Sequence, residues 1–482
     1  MASDSANGGK SVLPLIINNE SIATDNVFDI HNPATGEVLY QCTGATVGDA
    51  KRAAAAAKAA FPGWSKTHPY ERRAIMTKAA DIMDARKEEF IKIQQEETGA
   101  DRMFVDITFT NGVKFVRDFA AMIPTIEGVA PMVGDDQQSA LVIKQPYGVV
   151  LGIAPWNAPF ILGLRAVALP LAAGNTTILK GSELSPKCFW IIGDAFREAG
   201  LPAGCLNVLY HKPADAPAVT TALIAHPAVR KINFTGSTNV GAIIASTAGK
   251  YIKPVLLELG GKASAVVLDD ANLEKAALQC TLGAFVHSGQ VCMSTERIVV
   301  QRAIAEKFQA VLVETAEKIF GKNAPAPILV AAAAVQKNKG LVDDAVRKGA
   351  NVVFGDSKAS ESNTHSMRPL IVGNITKEMD LYATESFGPT VSLMVVDTEE
   401  EAIELANDTE YGLTSAVFTS NLFRGLRVAK QIESGAVHIN SMTIHDEPTL
   451  PHGGWKSSGL GRFGGTKGYD EWVQTKTITW VE

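Results

Sequence analysis

The sequence predicts an α/β fold made of two doubly wound, Rossmann-like α/β domains, followed by a β-rich C-terminal end. Three observations favour this class. The chain has 482 residues, more than one ordinary core accommodates. From about residue 147, short apolar runs that end in Gly, Pro or Asn alternate with helical stretches, and a second alternation follows Cys292. Strands that alternate with helices indicate parallel, doubly wound sheets.

The first third of the chain is predicted to be mainly helical. The segment "DAKRAAAAAKAAF" is rich in alanine, and "ERRAIMTKAADIMDARKEEFIKIQQEETG" carries apolar residues at helical spacing up to Gly99. Strands are then expected in "YGVVLGIAPW", "NTTILKG", "LNVLY", "KINFTGS", "PVLLELGG" and "ASAVVLDD". The pattern of "ANLEKAALQCTLGAFVHSGQV" predicts a helix that ends just before Cys292.

The second alternation predicts strands in "RIVVQ", "ANVVFG", "TVSLMVVD", "SAVFTS" and "GAVHINS", and helices in "AIAEKFQAVLVETAEKIFG" and "EEAIELANDTEYG". The β-rich end "GYDEWVQTKTITWVE" suits an arm that pairs with another sheet or subunit, or an ordinary edge strand. The segment 323–336 is low in complexity and is left unassigned.

Composition and charge exclude several classes of function. The 45 basic and 51 acidic residues give a net charge of −6, and the basic residues are dispersed, so nucleic acid is not an expected partner. No apolar run reaches the roughly 18 residues of a membrane span, and the N-terminus carries no targeting pattern. The five cysteines are scattered without a CxxC pair, so free thiols in a reducing compartment are expected, and the cytoplasm is the predicted location.

Three residues are candidates for chemistry, each with a plainer alternative. Cys292 lies among polar residues in "HSGQVCMSTER", although most lone cysteines are small core residues. Glu258 ends a predicted strand in "LLELGG", where a carboxylate acts as a general base or pairs with a lysine. Asn157 follows a strand in "APWNAPF", where its amide donates to an oxyanion or merely caps the turn.

Three further stretches have the chemistry of a nucleotide site. Lys180 and Glu183 follow a strand in "ILKGSE" and suit ribose hydroxyls, or form a surface ion pair. Gly236 and Gly241 in "NFTGSTNVG" lie between a strand and a helix, which is a weak dinucleotide signal without the Lys-Ser/Thr of a nucleoside triphosphatase loop. "TESFGP" is the third stretch, and it also reads as a simple loop.

The order and spacing of these stretches resemble the aldehyde dehydrogenase superfamily from about residue 15 to the C-terminus. The shared motifs are "PWNAP", "LK-x-SE", "FTGS-x-x-x-G", "LELGGK", "GQVC", "ESFGP" and "SGLGR". Within the superfamily, "PWNAPFILGLR", "GQVCMSTERIVV" and "GLGRFGG" look like the branch of salicylaldehyde and vanillin dehydrogenases, which oxidise aromatic aldehydes. The resemblance implies an NAD-binding domain at 1–123 and 147–257, a catalytic domain at 258–450, and an oligomerisation arm at 124–146 and 466–482.

The resemblance also implies a reaction that needs no metal. Cys292 as thiolate attacks the aldehyde carbon, and the Asn157 amide and the Cys292 backbone N–H hold the oxyanion. A hydride leaves for the nicotinamide, and Glu258 deprotonates the water that hydrolyses the thioester to the acid. The implied cofactor contacts are Ile153, Pro155, Trp156, Lys180, Glu183, Gly236, Ser237, Gly241, Glu385 and Phe387.

The resemblance further implies the cofactor, the substrate pocket and the assembly. Glu183 accepts the 2′-hydroxyl of NAD and repels the 2′-phosphate of NADP, so NAD is favoured. A small-molecule aldehyde is the expected substrate, and a homodimer or dimer of dimers is the expected assembly. The implied pocket residues are Ala158, Ile161, Arg165 and His452.

The chain departs from the family pattern at three places. Gly181 stands where the family often has proline or alanine, and Phe463 stands where many members carry glutamate, although the aromatic-aldehyde branch shares it. His452 stands where the loop usually presents phenylalanine to the aldehyde. The alternatives are a semialdehyde or broad aliphatic aldehyde dehydrogenase, a coenzyme A-acylating enzyme, and a catalytically silent structural relative.

Overall fold

Two large sheets and two small ones organise the chain. The computed structural model describes residues 11–134, 137–359, 361–465 and 468–481. The strands are β1 (Val12–Leu13), β2 (Leu15–Ile17), β3 (Glu20–Ile22), β4 (Val27–His31), β5 (Val38–Thr43), β6 (Gln138–Pro146), β7 (Val149–Ile153), β8 (Thr176–Lys180), β9 (Leu206–Leu209), β10 (Val229–Thr235), β11 (Val255–Glu258), β12 (Ala263–Val267), β13 (Thr295–Gln301), β14 (Asn351–Phe354), β15 (Leu370–Gly373), β16 (Thr390–Val396), β17 (Thr414–Phe418), β18 (Ala436–Ile439), β19 (Gly459–Leu460) and β20 (Val473–Val481).

Helices cover both large sheets. The α-helices are α1 (Val47–Trp64), α2 (Pro69–Ala85), α3 (Lys87–Thr98), α4 (Arg102–Met122), α5 (Pro159–Ala172), α6 (Pro186–Glu198), α7 (Ala216–Ala225), α8 (Thr238–Lys250), α9 (Leu273–Phe285), α10 (Arg302–Phe320), α11 (Ala332–Arg347), α12 (Asp380–Ala383), α13 (Glu399–Asn407) and α14 (Leu422–Ala429). No described helix is both long and apolar enough to span a bilayer.

The first large sheet has the strand order β19-β11-β10-β7-β8-β9-β2-β3. Its five central strands, β11 to β9 in that order, are parallel, and the strands at its two edges run antiparallel to their neighbours. The helix pairs α1–α7 and α5–α6 pack on the sheet as two separate groups. The carboxyl ends of the five parallel strands all lie at the same end of the sheet, which is where doubly wound sheets bind ligands.

The second large sheet has the order β14-β15-β16-β13-β12-β17-β18 and is parallel except for β14. The chain leaves the first sheet at Glu258 and enters the second at Ala263. Cys292 lies three residues before β13, at the amino end of the second sheet. The carboxyl end of β11 and the amino end of β13 thus meet, and both α/β sheets of the predicted fold class are present.

A separate two-stranded sheet lies within the two ranges for which an arm is predicted. β6 pairs antiparallel with β20 along all nine residues of each strand. All residues of β20 after Val473 are exposed, including the apolar Ile478, Trp480 and Val481. Some residues of the predicted ranges lie outside the described part of the chain. They are 135, 136, 466, 467 and 482 in the arm ranges 124–146 and 466–482, and 1–10 in the predicted first domain.

The structure differs from the sequence predictions in three local features. The five short strands β1–β5 were not predicted, because runs of two to six residues give too little alternation to recognise. The helix predicted up to Gly99 is divided at Arg86 into α2 and α3. The helix predicted up to Cys292 ends at Phe285, because His287 and Ser288 have positive φ angles of 49° and 57°.

Candidate active site

Two cavities meet at Cys292. The first, of about 270 Å³, lies at the carboxyl edge of the first sheet, and the second, of about 290 Å³, lies between α4, α5 and the loop after β18. Asn157, Glu258 and Cys292 line both cavities. A group bound in one cavity and a group bound in the other would therefore meet at the sulfur, with all three predicted chemical residues around them.

The Cys292 loop is held by backbone geometry and by a buried glutamine. The positive φ angles of His287, Ser288 and Gly289 turn the chain sharply before the loop. The Gln290 side chain is fully buried, and its Oε1 accepts a hydrogen bond from Val330 N at 2.9 Å. These contacts direct the Cys292 thiol towards Glu258 Oε1, to which it donates at 3.1 Å.

The surroundings of Cys292 favour the thiol over the thiolate. Burial, together with the charge of Glu258, raises the pKa of Cys292 well above the ordinary value. The other four cysteines, Cys42, Cys188, Cys205 and Cys280, are fully buried in the core. None of these four lines either of the two cavities, whereas Cys292 lines both, but ionisation of its thiol requires a proton acceptor nearby.

Glu258 is a fully buried carboxylate at the end of β11. Its Oε2 accepts hydrogen bonds from the Arg165 guanidinium and from Thr235 Oγ1, and Oε1 faces Cys292. Burial by itself raises the pKa of a carboxyl group, but Arg165, and after it His452, outweigh burial and hold the pKa of Glu258 well below the ordinary value. Glu258 is therefore ionised.

Asn157 ties the first sheet to the Cys292 loop. It follows β7 and the turn with Pro155 and Trp156, and α5 begins two residues later at Pro159, a favourable first helical residue. Its Nδ2 donates a hydrogen bond to Gln290 O at 3.0 Å. Because an amide nitrogen carries two hydrogens, one of them remains to donate into the shared space at Cys292.

The four predicted pocket residues all line the second cavity, but Arg165 is already paired. Arg165 is buried, it pairs with Glu258, its Nη1 lies 2.9 Å from Asp446 Oδ2, and its guanidinium carbon lies 4.4 Å from the centre of the Phe463 ring. Ala158 and Ile161 present small and apolar surface to the same cavity. Arg165 thus connects two buried carboxylates at the cavity wall.

His452 lies beside this ion-pair system. Its backbone pairs with that of Phe463, which fixes the loop, and its ring is buried. Nε2 lies 3.5 Å from Glu258 Oε1, and Nδ1 lies 3.8 Å from Asp446 Oδ1. Sequence reasoning did not identify Asp446, because nothing in "TIHDEPTL" indicates that this aspartate faces Arg165.

The predicted cofactor residues lie at four places. Glu183 lines a third cavity, of about 490 Å³, and Gly241 lies within α8 against Leu259. Ile153 and Lys180 are register partners at the ends of β7 and β8. The remaining six residues line the first cavity: Pro155, Trp156, Gly236, Ser237, Glu385 and Phe387. The same cavity also contains Lys337 of α11, which was not identified from the sequence.

The edge of the first sheet has the features that a dinucleotide needs. Ser237 caps α8 without a side-chain hydrogen bond to the helix, and the first turn of α8 has no acidic residue, so its N–H groups suit a pyrophosphate. Lys180 ends β8 and is half-buried; burial lowers its pKa, and the charge of Glu183 acts in the opposite direction. A β-carbon at Gly236 would collide with the Phe234 ring.

A buried ion pair supports the loop that carries Glu385 and Phe387. Glu296 Oε2 lies 2.7 Å from Lys262 Nζ, and Glu296 Oε1 accepts hydrogen bonds from Ser386 N at 2.9 Å and Phe387 N at 3.1 Å. Glu385 in turn accepts from Gly261 N at 2.8 Å, and burial raises its pKa to about 7. Sequence reasoning missed Glu296, although a charged residue within the apolar run after Cys292 was a usable signal.

Comparisons with known proteins agree with this geometry. The sequence profile of the Aldehyde dehydrogenase family matches residues 20–478. Vanillin dehydrogenase of Pseudomonas sp. (strain HR199 / DSM 7063) is 42% identical over 474 residues, which cover 97% of each chain. The crystal structure of a salicylaldehyde dehydrogenase from Pseudomonas putida G7 complexed with salicylaldehyde has a TM-score of 0.94 at 38% identity and covers 98% of each chain. Betaine aldehyde dehydrogenase of Staphylococcus aureus in complex with NAD⁺ has a TM-score of 0.92 at 29% identity, covering 97% of this chain and 94% of that one.

Proposed function

We propose that this chain, which belongs to the aldehyde dehydrogenase family and is an oxidoreductase acting on aldehydes, converts an aromatic aldehyde into its carboxylic acid with NAD. The observation that carries this proposal is the meeting of two cavities at Cys292. One cavity has the polar edge that suits a dinucleotide, and the other has an apolar wall that suits an organic aldehyde. Both reactants would reach the same sulfur.

The first half-reaction joins Cys292 to the substrate. The thiolate attacks the aldehyde carbon, a sulfur–carbon bond forms, and the carbonyl oxygen becomes an oxyanion. The free Nδ2 hydrogen of Asn157 and the backbone N–H of Cys292 hold this oxygen. The residues that line the first cavity, among them Trp156, Ser237 and Phe387, would hold a nicotinamide cofactor, which would supply the acceptor for the hydride of the same carbon. A thioester on Cys292 is the product of this half-reaction.

The second half-reaction releases the acid. Glu258 removes a proton from a water molecule, the resulting hydroxide attacks the thioester carbon, and the sulfur leaves as thiolate. Glu258 is suited to this role because it lines both cavities and is ionised. The low pKa of Glu258 also makes this carboxylate a weak base, so its position close to the reacting water has to compensate for the low basicity.

The second cavity supports an aromatic substrate. Its wall includes the apolar side chains of Phe104, Ile161, Val291, Met293 and Ile444, and its volume of about 290 Å³ suits one ring. The vanillin and salicylaldehyde dehydrogenases among its relatives support the same class. Arg165 already pairs with two carboxylates, so it is not free to bind the distal carboxylate of a semialdehyde.

A panel of aldehydes tests this substrate class. We expect higher kcat/KM for salicylaldehyde, vanillin and benzaldehyde than for hexanal and succinate semialdehyde, measured by NADH absorbance with NAD at saturation. Asn157→Ala should lower kcat on the order of 100- to 1,000-fold for every aldehyde, since it removes one oxyanion donor. The aromatic assignment is wrong if an aliphatic aldehyde exceeds every aromatic one.

The preference for NAD is proposed from Glu183. A carboxylate next to the adenosine ribose would accept its 2′-hydroxyl and repel a 2′-phosphate. We expect wild-type enzyme to favour NAD over NADP by roughly 100-fold in kcat/KM. Glu183→Gln should narrow this ratio mainly by improving NADP. Equal efficiency with the two cofactors in the wild type would contradict the assignment.

A further inference from the structure

Five titratable side chains meet at the inner end of the second cavity: Arg165, Glu258, Cys292, Asp446 and His452. The two oxygens of Glu258 have different surroundings. Oε2 is held by Arg165 and Thr235, whereas Oε1 lies 3.1 Å from Cys292 Sγ and 3.5 Å from His452 Nε2. One carboxylate oxygen is thus placed between the thiol and the imidazole.

Glu258 by itself is a poor final acceptor for the Cys292 proton. The neighbouring guanidinium stabilises the charged carboxylate, and burial stabilises the neutral thiol. A proton moved from Cys292 to Glu258 would therefore return to the sulfur. The proposed attack needs a thiolate, so a stronger base within reach of the same oxygen would be required to retain the proton.

His452 has the geometry of such a base. Its Nε2 is buried without a hydrogen-bond partner, and so is Oδ1 of Asp446, on the other side of the same ring. A protonated imidazole has a donor on each nitrogen, so Nε2–H would face Glu258 Oε1 and Nδ1–H would face Asp446 Oδ1. Protonation of the ring would therefore give both His452 Nε2 and Asp446 Oδ1 a hydrogen-bond partner.

The charged groups around His452 are two carboxylates and one paired cation. Glu258 from β11 and Asp446 from its own loop are carboxylates, and the positive Arg165 from α5 is paired with both. His438 on β18 is nearby, but burial and the neighbouring His445 and His452 lower its pKa to about 4, which leaves it neutral at pH 7. His445 instead lies 3.5 Å from Glu447 Oε1 and is partly exposed.

We propose that His452, oriented by Asp446, is the proton acceptor that activates Cys292, with Glu258 as the relay between them. The thiol proton passes from Sγ to Glu258 Oε1, and a proton passes from Oε1 to His452 Nε2. A thiol, a carboxylate and a neutral imidazole become a thiolate, a carboxylate and an imidazolium, so the net charge is unchanged. The inference rests on the proposed function only in taking Cys292 as the nucleophile.

The test is the rate at which iodoacetamide alkylates Cys292 across pH 5 to 10, without aldehyde or NAD, followed by mass spectrometry of the Cys292 peptide. Since only the thiolate reacts, His452→Gln should lower the rate at pH 7 by about tenfold or more and shift the profile to higher pH. The rate should recover at alkaline pH, which also shows that the variant is folded. Asp446→Asn should shift the profile in the same direction by a smaller amount.

His445→Gln is the matched control, because it removes a histidine of the same loop that does not contact Glu258; its profile should match the wild type. The proposal is overturned if His452→Gln retains the wild-type alkylation profile, even if it oxidises aldehydes poorly. Failure of the proposed function has a different signature: no NADH from any aldehyde, together with a shifted alkylation profile in His452→Gln.

Discussion

At the scale of single residues, the proposed chemistry depends on a thiol whose surroundings oppose its ionisation. Burial and a neighbouring carboxylate both raise the pKa of Cys292, while Arg165 keeps Glu258 charged. Such opposed shifts in one cluster are typical of catalytic sites. They also mean that replacing any one member changes the charge balance of the others, so single substitutions here are not additive.

Cys292→Ala should abolish aldehyde oxidation, because no other described cysteine lines the two cavities. Cys280→Ala is the matched control: Cys280 is fully buried in α9, and its replacement should lower stability by about 1 kcal/mol while activity remains. Steady-state NADH formation and thermal unfolding measure the two effects. Near wild-type turnover of Cys292→Ala would rule out the nucleophile.

Glu258→Gln should affect both half-reactions, because Glu258 is proposed as the proton relay for Cys292 and as the base for water. At alkaline pH the thiolate forms without the relay, and the two half-reactions should then separate. The amide cannot accept a proton from water, so thioester hydrolysis should slow by roughly 100-fold or more. At that pH, rapid-quench experiments should show one equivalent of NADH followed by a slow steady state. A trace with slow acylation and no accumulated thioester would instead assign Glu258 to the activation of Cys292 alone.

At the scale of elements, the sheet edges place the site, and a buried ion pair holds the loop after α12. Glu296 at the start of β13 accepts three hydrogen bonds from Ser386 and Phe387, two of them from backbone N–H groups. The other oxygen pairs with Lys262, which also donates to Thr384 O at 2.8 Å. The strand that follows the nucleophile thus also supports the loop at the first cavity.

Glu296→Gln should weaken cofactor binding more than it affects the thiol. It removes the charge that pairs with Lys262 and weakens the hold on residues 384–387, so the KM for NAD should rise roughly 10- to 100-fold. The alkylation of Cys292 without NAD should stay close to the wild-type rate. A KM for NAD equal to that of the wild type would show that the loop does not depend on this ion pair.

At the scale of the whole molecule, three histidines that burial keeps neutral at pH 7 make the stability of the fold depend on pH. Burial lowers the pKa of His211, His287 and His438 from 6.5 to about 4. Between pH 6.5 and about 4, these histidines bind protons in the unfolded chain but not in the folded chain. The free energy of unfolding is therefore unaffected by them above pH 6.5 and decreases as the pH falls through this range. The urea midpoint should therefore decrease from pH 7 to 4.5, and His211→Gln should make the decrease shallower.

The exposed strand β20 is the predicted site of self-association. Ile478 and Trp480 project from one face of the strand and are 42% and 41% exposed, which is unfavourable for apolar side chains in water. Light scattering after size exclusion should give the mass of a dimer or tetramer for the wild type, and Trp480→Ser should reduce it. Thr479→Ala, on the opposite face, is the control. A monomeric wild type would contradict this prediction.

The sequence by itself determined the two α/β alternations and the positions of Cys292, Glu258 and Asn157. These features are local: apolar runs form strands, and the residues that follow a strand lie at the sheet edge, whichever partners they meet there. The helix before Cys292 was predicted too long, since periodicity does not reveal the positive φ angles of His287 and Ser288.

Only the tertiary structure decided which groups act on those residues. Arg165 lies 93 positions from Glu258 and 281 positions from Asp446 in the chain, and Glu296 lies 90 positions from Ser386. No periodicity or motif spans such separations. The pKa of Glu258, the pairing of Arg165 and the contact of His452 with Glu258 all arise where β11, α5 and the loop after β18 are brought together. Burial there makes each charge depend on partners that the chain supplies from elsewhere.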